Sequence, residues 1–279
     1  MVNTADDFTH LGFHISPDLD TLTYTLSGLS NTQVGWGRAD ETWNFMAALE
    51  SLGGETWFQL GDRDLALHSL RRELLNNGAT LTSATRDICR ALGIEFDIFP
   101  MTDDPVRTIV HTVEQGALAF QHYFVRERCA PSVTGFEFDG IESARANPNL
   151  ISVLRDCDGV IICPSNPFVS VDPVLNIPGM RTAINTSGVP VIAVSPIVSG
   201  LAIKGPAAKM MAELHIPNTA VSVAQHYGEL LAGFVLDEQD AALAQEIDLP
   251  TLATPSIMKS LDDRTALAAR VLEFIGTLA

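Results

Sequence analysis

Only three lysines (Lys204, Lys209 and Lys259) stand beside 14 arginines, and these 17 basic residues face 34 acidic ones. The formal charge of −17 excludes the clustered Lys/Arg surface that a nucleic-acid backbone requires. It still leaves room for a small anion held by a few local donors. Cysteine is scarce too. Cys89, Cys129, Cys157 and Cys163 lack CxxC spacing, which argues against a disulfide framework or a zinc site and predicts buried thiols. No stretch approaches 18 continuous apolar residues, so no membrane span is expected. The opening MVNTADDFTH has neither the basic nor the apolar segment of a secretory leader, and the expected compartment is the cytoplasm. Repeats and low-complexity tracts are absent as well.

What is present is apolar substance. With 46% hydrophobic and 18% charged residues over 279 positions, the chain can bury one large core, or a core with a substantial insertion. Residues 1–35 read as loop with a short apolar stretch at Leu22–Leu26. Helices are predicted over 40–52, capped by Asp40, over about 64–75 and over about 82–92. Short extended pieces follow at 55–60, 94–99, 109–113, 118–125 and 134–138. The second half differs in texture. GVIIC (159–163) and VPVIAV (189–194) are continuous apolar runs of the kind a parallel sheet covers on both faces. Helical patterns at about 173–186 and 206–214 follow them. GFVLD (233–237) and TLATP (251–255) offer two more strands, and a terminal helix opens with capping-box spacing at Ser260 and Asp263. This alternation predicts an α/β, doubly wound, Rossmann-like fold with a mostly parallel sheet and a helical and β insertion.

Ligands of such sheets bind outside the carboxyl ends of the strands. Here those ends are Pro164-Ser165-Asn166-Pro167 and Ser195-Pro196-Ile197, with Lys204-Gly205 further on. Two readings stand: a phosphate-binding rim of short donors, or ordinary βα turns rich in Pro, Ser and Asn. Asp6-Asp7 and Asp18-x-Asp20 form acidic clusters. Asp6 and Asp18 suit a magnesium ion held by two carboxylates and completed by substrate phosphates; Asp residues in turns and caps are the plainer alternative. Gly61-Asp62-Arg63-Asp64 reads either as a turn whose Asp64 caps the next helix, or as an Arg63 fork poised for phosphate or carboxylate. His68, four residues beyond Asp64, shares its helix face and is a minor candidate for proton handling.

Longer strings go further. VNTADDF (2–8), HISPDLDTLTYTLSGL (14–29), GETWFQLGDRDLALH (54–68), FPMTDDPVRT (99–108), FQHYFVRER (120–128), CPSNPFVSVDPVLNIPGMR (163–181) and AVSPIVSGLAIKGPAAKMM (193–211) together resemble the 2-phospho-L-lactate transferase family. The resemblance implies a magnesium-dependent transfer in coenzyme F-420 biosynthesis. A phospholactyl or phosphoenolpyruvyl group would move from a guanosine diphosphate conjugate to the ribityl hydroxyl of the deazaflavin alcohol FO, releasing GMP. It also implies residue roles. Asp6 and Asp18 match the magnesium carboxylates, and Asp62 and Arg63 join them as catalytic candidates. Asp20 and the Leu60–Asp64 turn match the region receiving FO. Ser165, Asn166, Ser195 and Pro196, with Lys204 and Gly205, match the guanosine diphosphate side. The chain is then expected to be one catalytic unit, with about 36–130 as the acceptor-side insertion and about 150–279 as the nucleotide side. A homodimer is expected, supported by Phe120, Tyr123 and Phe124 on a strand that looks exposed. The alternative is a non-enzymatic nucleotide-sugar-binding regulator of the same superfamily, which shares the PSN-type loop but lacks the SPDLDT and GDRD pair, or an inactive truncated homologue.

One departure carries an expectation of its own. Members of the family begin with a strand and a GGTGG-type loop that cradles phosphate, whereas this sequence starts at VNTADD; Gly35-Trp36-Gly37 is a poor and wrongly placed substitute. Losing two charge-assisted phosphate bonds costs roughly 3–6 kcal/mol. The 279-residue chain is therefore expected to be a poor transferase, and an upstream extension carrying that loop to restore turnover. GMP release in the presence of FO, short chain against extended chain, measures this; equal rates would mean that the later loops hold the phosphates alone.

Overall fold

The computed structural model describes residues 1–32, 37–203 and 205–278. Two compact units emerge: residues 1–131 with 136–150, and residues 132–135 with 151–279.

The first unit opens with an extended segment. Val2 exchanges backbone bonds with Phe99 and Met101 (2.9 and 2.8 Å), and the Ala5 carbonyl accepts from the Thr108 N–H at 2.7 Å. A tight hairpin follows, β1 (Phe8–His10) against β2 (Phe13–Ile15). Next come α1 (Pro17–Leu26), α2 (Asn44–Ser51), α3 (Asp62–Asn76) and α4 (Leu81–Ala91). β3 (Arg107–Thr112), β4 (Gly116–Ala119) and β5 (Val133–Asp139) form a three-stranded sheet in the order β4-β3-β5. Small apolar clusters tie these pieces together. Val2 and Leu19 pack with Leu81, Cys89 and Ile98, and Ile15 packs with Met46, Leu60 and Leu65.

The second unit carries the parallel sheet. α5 (Pro148–Asp156) leads to β6 (Val160–Ile162); then follow α6 (Asp172–Asn176), α7 (Met180–Ser187) and β7 (Val191–Val194). A two-residue hairpin, β8 (Ile197–Val198) and β9 (Leu201–Ala202), precedes α8 (Ala207–Glu213) and α9 (Ala220–Tyr227). β10 (Gly233–Leu236), β11 (Thr251–Ala253) and α10 (Leu261–Gly276) complete the unit. The order is β11-β10-β7-β6, every pair parallel. The two central strands are buried at every position, as the continuous apolar runs anticipated. Leu267, Val271 and Ile275 of α10 lie on Ile192, Val194 and Val235. The Ser260–Asp263 capping box is present with both bonds formed. The α/β class with a parallel sheet is as expected from sequence.

Several local expectations are corrected. Residues 1–35 hold a hairpin and a helix: Pro17 sits in the first helical turn with Asp18 and Asp20 beside it, favourable both for a missing N–H and for the helix dipole. Acidic turn residues concealed that start. Asp40 does not cap α2; it lies at φ +56, and the Asp62 carboxylate accepts from the Asn44 and Phe45 N–H groups instead. Residues 55–60 and 94–99 form no strand. Trp57 and Phe58 satisfy their aromatic surface in a ring cluster with Phe8 and His10, which shows how far β-propensity is a packing preference.

The strand expected to run to residue 125 ends at Ala119, and a π-helical turn takes over at His122–Arg126. Phe120 and Tyr123 are buried there, and Phe124, which stacks on Phe120 at 5.4 Å, is the one of the three left exposed, so the exposed aromatic strand expected as a dimer face is not formed. The helix expected over 173–186 is broken in two at Ile177-Pro178-Gly179, where Gly179 takes φ +84. Of the four thiols only Cys89 is buried; Cys129 and Cys157 are half-buried and Cys163 is exposed. Lys204, Gly35 and Trp36 lie outside the described residues.

The α10 contact sets a stability prediction. Ile192 is fully buried beneath it, and Ile192→Ala is expected to cost about 2–5 kcal/mol, measured by urea unfolding.

Candidate functional site

The sequence-selected carboxylates of the first unit meet around the start of α1. Asp6 is buried (6% exposed), Asp7 more so (2%), and Asp18 partly. Backbone bonds at Val2 and Ala5, and one from the Asp7 N–H to the Thr4 carbonyl at 3.2 Å, fix the loop that carries Asp6 and Asp7. The Gln121 amide also donates to the Asp6 carbonyl at 3.2 Å. Asn3 stitches the loop to the helix: its Nδ2 donates to Asp18 Oδ2 at 3.2 Å, while its Oδ1 accepts the Ala5 N–H at 2.9 Å. Asp7 Oδ2 accepts from the Ser16 hydroxyl at 2.7 Å and lies 3.0 Å from His14 Nε2.

Electrostatically the cluster is under-compensated. Burial, and next the Asp18 charge, hold Asp6 well above the ordinary carboxylate range. Burial pushes Asp18 up to about 6, with Asp7 and Asp20 adding to it. Asp7 is raised by burial despite the bond to His14. One oxygen of Asp6 and one of Asp7 are buried with no hydrogen-bond partner. Buried, negatively charged, unpaired oxygens are what a hard cation satisfies. The donor set therefore fits magnesium, with Asp6 and Asp18 as the protein carboxylates. Among the described residues no third acidic, His or Cys group joins them in ligating arrangement, which leaves the other positions to phosphate oxygens and water.

Beneath this lies a second layer that sequence reasoning only half found. Asp20, expected on the acceptor side, is buried in a bidentate pair with Arg71 of α3 (3.1 Å for the Nη1–Oδ2 bond). His68 lies 3.1 Å from Asp64 and 3.8 Å from Asp20, and the Tyr24 hydroxyl donates to Asp64 at 2.5 Å. Burial acts upward on Asp64, but the bonds from His68 and Tyr24 and the Arg71 charge outweigh it and leave Asp64 below the usual range. Asp64 thus shares the face of His68 as expected, but it does not cap α3. That role falls to the Glu41 carboxylate, which accepts the Arg63 and Asp64 N–H groups at 2.8 Å each. Gly61 is needed for room, because a Cβ there would overlap the Glu41 side chain. Asp62 is spent on capping α2, also accepting from the Thr42 hydroxyl and the Asn44 amide, and these bonds lower it to about 2. Arg63 is exposed, 3.9 Å from Asp40; it is not held between Asp62 and Asp64. The Leu60 side chain is fully buried in the core. Asn3, Glu41 and Arg71 were missed, and Asp7 was noted only as a member of the acidic cluster. Only Arg71 had a signal, its i, i+3 spacing from His68, and the adjacent Arg72 obscured which arginine faces inward.

In the second unit, β6 and β7 are paired neighbours, so the turns after them share one edge of the sheet. Ser165 and Asn166 are half-buried there. Asn166 Oδ1 accepts the Phe168 N–H at 3.0 Å, starting the π-helical turn Pro167–Val171. Ser195 is buried, and its hydroxyl donates to the Ile197 carbonyl (2.8 Å) and accepts the Ile197 N–H (3.1 Å), which closes the Pro196 turn. Gly205 is exposed at φ +73. Two expected donors are therefore shaping their own loops.

A parallel four-stranded sheet with helices in the second unit and an acidic cluster in the first define the class: an α/β protein with a largely buried carboxylate centre. A family model described as 2-phospho-L-lactate transferase CofD matches residues 1–269, and the chain belongs to that family. A Streptomyces griseus protein named phosphoenolpyruvate transferase is 38% identical over 279 residues, covering 97% of this chain and 88% of that one. A Methanosarcina mazei 2-phospho-L-lactate transferase is 37% identical over 242 residues, covering 87% and 79%. A crystal structure of a Bacillus halodurans protein shares the fold at a TM-score of 0.61 and 13% identity, covering 98% of this chain and 90% of that one. A structure described as a UPF0052 family member from the same organism gives 0.57 and 12%, covering 95% and 89%.

The charge balance generates a pH prediction. A carboxyl whose native pKa is raised favours folding at low pH and loses that contribution as pH rises through its native value, about 6 for Asp18. Burial lowers His10, which acts in the opposite sense near pH 6.5, so the difference between two chains is the clean measurement. In EDTA, Asp18→Asn is expected to unfold at a higher temperature than the wild type at pH 7.5, with the advantage shrinking toward pH 5. Identical midpoints at both pH values would show that Asp18 carries no buried charge.

Proposed function

We propose that this chain transfers a phospholactyl or phosphoenolpyruvyl group from a guanosine diphosphate conjugate to the ribityl hydroxyl of FO, releasing GMP, in coenzyme F-420 biosynthesis. Family membership supports the reaction class. Relatives of nearly equal identity carry the phosphoenolpyruvate and the phospholactate names, so either three-carbon acid fits the proposal. The single observation that carries the chemistry is the buried Asp6, with one oxygen lacking a hydrogen-bond partner, beside the partly buried Asp18 whose charge raises it.

The FO hydroxyl oxygen forms a bond to the phosphorus that bears the three-carbon acid. The bond from that phosphorus to the GMP phosphate oxygen breaks, and the hydroxyl proton is released. Such a transfer depends on positioning and charge stabilisation more than on covalent catalysis. Asp6 and Asp18 would hold a magnesium ion, which when bound would neutralise the diphosphate. Asn3 and Ser16 orient the acidic loop against α1. Arg63, exposed and paired only at 3.9 Å with the exposed Asp40, is the group of its turn left to meet FO, while Leu60, Asp62 and Asp64 build the platform beneath it. Ser165 and Asn166, with the Ser195-Pro196 turn and Gly205, form the nucleotide edge of the second unit.

Calorimetric titration of GDP in magnesium and then in EDTA tests the reading. GDP is expected to bind at least about tenfold tighter with the metal, ~1.4 kcal/mol, and Asp6→Asn to remove the difference. Equal affinity in both buffers would eliminate the metal bridge. Arg63→Ala is expected to weaken quenching of FO fluorescence while sparing GDP; an unchanged FO constant would return Arg63 to the solvent-exposed surface.

A further inference from the structure

Arg71 has no place in the chemistry above, yet it is 2% exposed and sits within a cluster of carboxylates. Its Nη1 and Nη2 grip both oxygens of Asp20, and Nη1 also donates to the His14 carbonyl at 3.3 Å. One side chain from α3 therefore holds α1 through Asp20 and β2 through His14. These are the two elements whose ends flank Ser16, the residue bonded to Asp7. Asp18 lies one turn-half before Asp20 on the same helix. A bidentate guanidinium–carboxylate pair fixes angle as well as distance.

We propose that Arg71 is the positioning residue of the metal site: through Asp20 it sets the first turn of α1, so that Asp18 meets Asp6 in ligating geometry. Asp20 is then an internal strut and not a contact of FO. The inference rests on the metal reading of Asp6 and Asp18 above.

The sign of one measurement separates positioning from bare charge. A cation near a metal site repels the metal, so if Arg71 acted only as a countercharge, removing it would tighten metal binding. If it positions Asp18, removing it weakens binding, by about 10–100-fold as for other outer partners of metal ligands.

The experiment uses Mn2+ as probe, its binding to the full chain with GDP followed by the electron paramagnetic resonance of the free ion. The variants are Arg71→Met, Arg71→Lys and Asp20→Asn, each checked for a cooperative thermal transition. Arg71→Met and Asp20→Asn are expected to lose affinity by similar factors, and the double variant to lose no more than either alone. Arg71→Lys, with charge but no fork, is expected to fall between wild type and Arg71→Met. Should Arg71→Met fail to fold, Arg71→Lys and Asp20→Asn carry the test. Unchanged or tighter Mn2+ binding in the folded variants, or a loss of FO quenching alone in Asp20→Asn, would overturn the proposal while leaving the metal site standing. A wild-type chain that binds no Mn2+ would overturn both.

Discussion

Negative charge held out of water is the constraint around which the first unit is organised. Asp6, Asp7 and Asp20 are all buried, and a buried carboxylate without compensation is among the most expensive things a fold can hold. The structure supplies compensation unevenly. Asp20 receives both arms of a guanidinium, and Asp64 receives a phenol hydroxyl and an imidazole. Asp6 and Asp18 share the Asn3 amide, and Asp6 has the Thr108 hydroxyl besides, which does not offset its burial. The shortfall falls on the residues that a phosphate-bound cation would reach.

The same acidity is used elsewhere as helix-building material. Glu41 and Asp62 each close the amino end of a helix that is not their own: Glu41 caps α3 and Asp62 caps α2. This reciprocal exchange locks two helices by their orphan N–H groups. It also explains why the Gly-Asp-Arg-Asp turn is rigid without any of its carboxylates being idle. An exposed Arg63 projects from a platform fixed on both sides, which is the arrangement that gives a flexible side chain a reproducible origin.

In the second unit the logic is apolar. Two fully buried central strands and the α10 stripe over them make a rigid floor, and the loops at its carboxyl edge are stiffened by Asn166 and Ser195 acting on their own backbone. Hydroxyl and amide groups read as ligand donors are partly consumed in shaping the rim. Those bonds fix the conformation of the rim.

Composition and pattern alone determined the α/β class, the four parallel strands and the capped terminal helix, because continuous apolar runs and a capping box are local signals that tertiary context rarely overrides. The structure sets Asp6 and Asp18, singled out in the sequence as two acids in nearby loops, close enough for the charge of Asp18 to raise Asp6, with Asp18 in the first turn of a helix. The tertiary structure decided what each remaining acid does. Asp20 turns inward to Arg71, 51 positions away; Asp62 and Glu41 exchange caps across about twenty residues; Phe120 and Tyr123 are buried within the chain itself. None of these follows from spacing, since an aspartate in a turn has the same sequence signature whether it caps a helix, pairs with a buried guanidinium or waits for a metal. Long-range packing selects the partner, and the partner sets the charge.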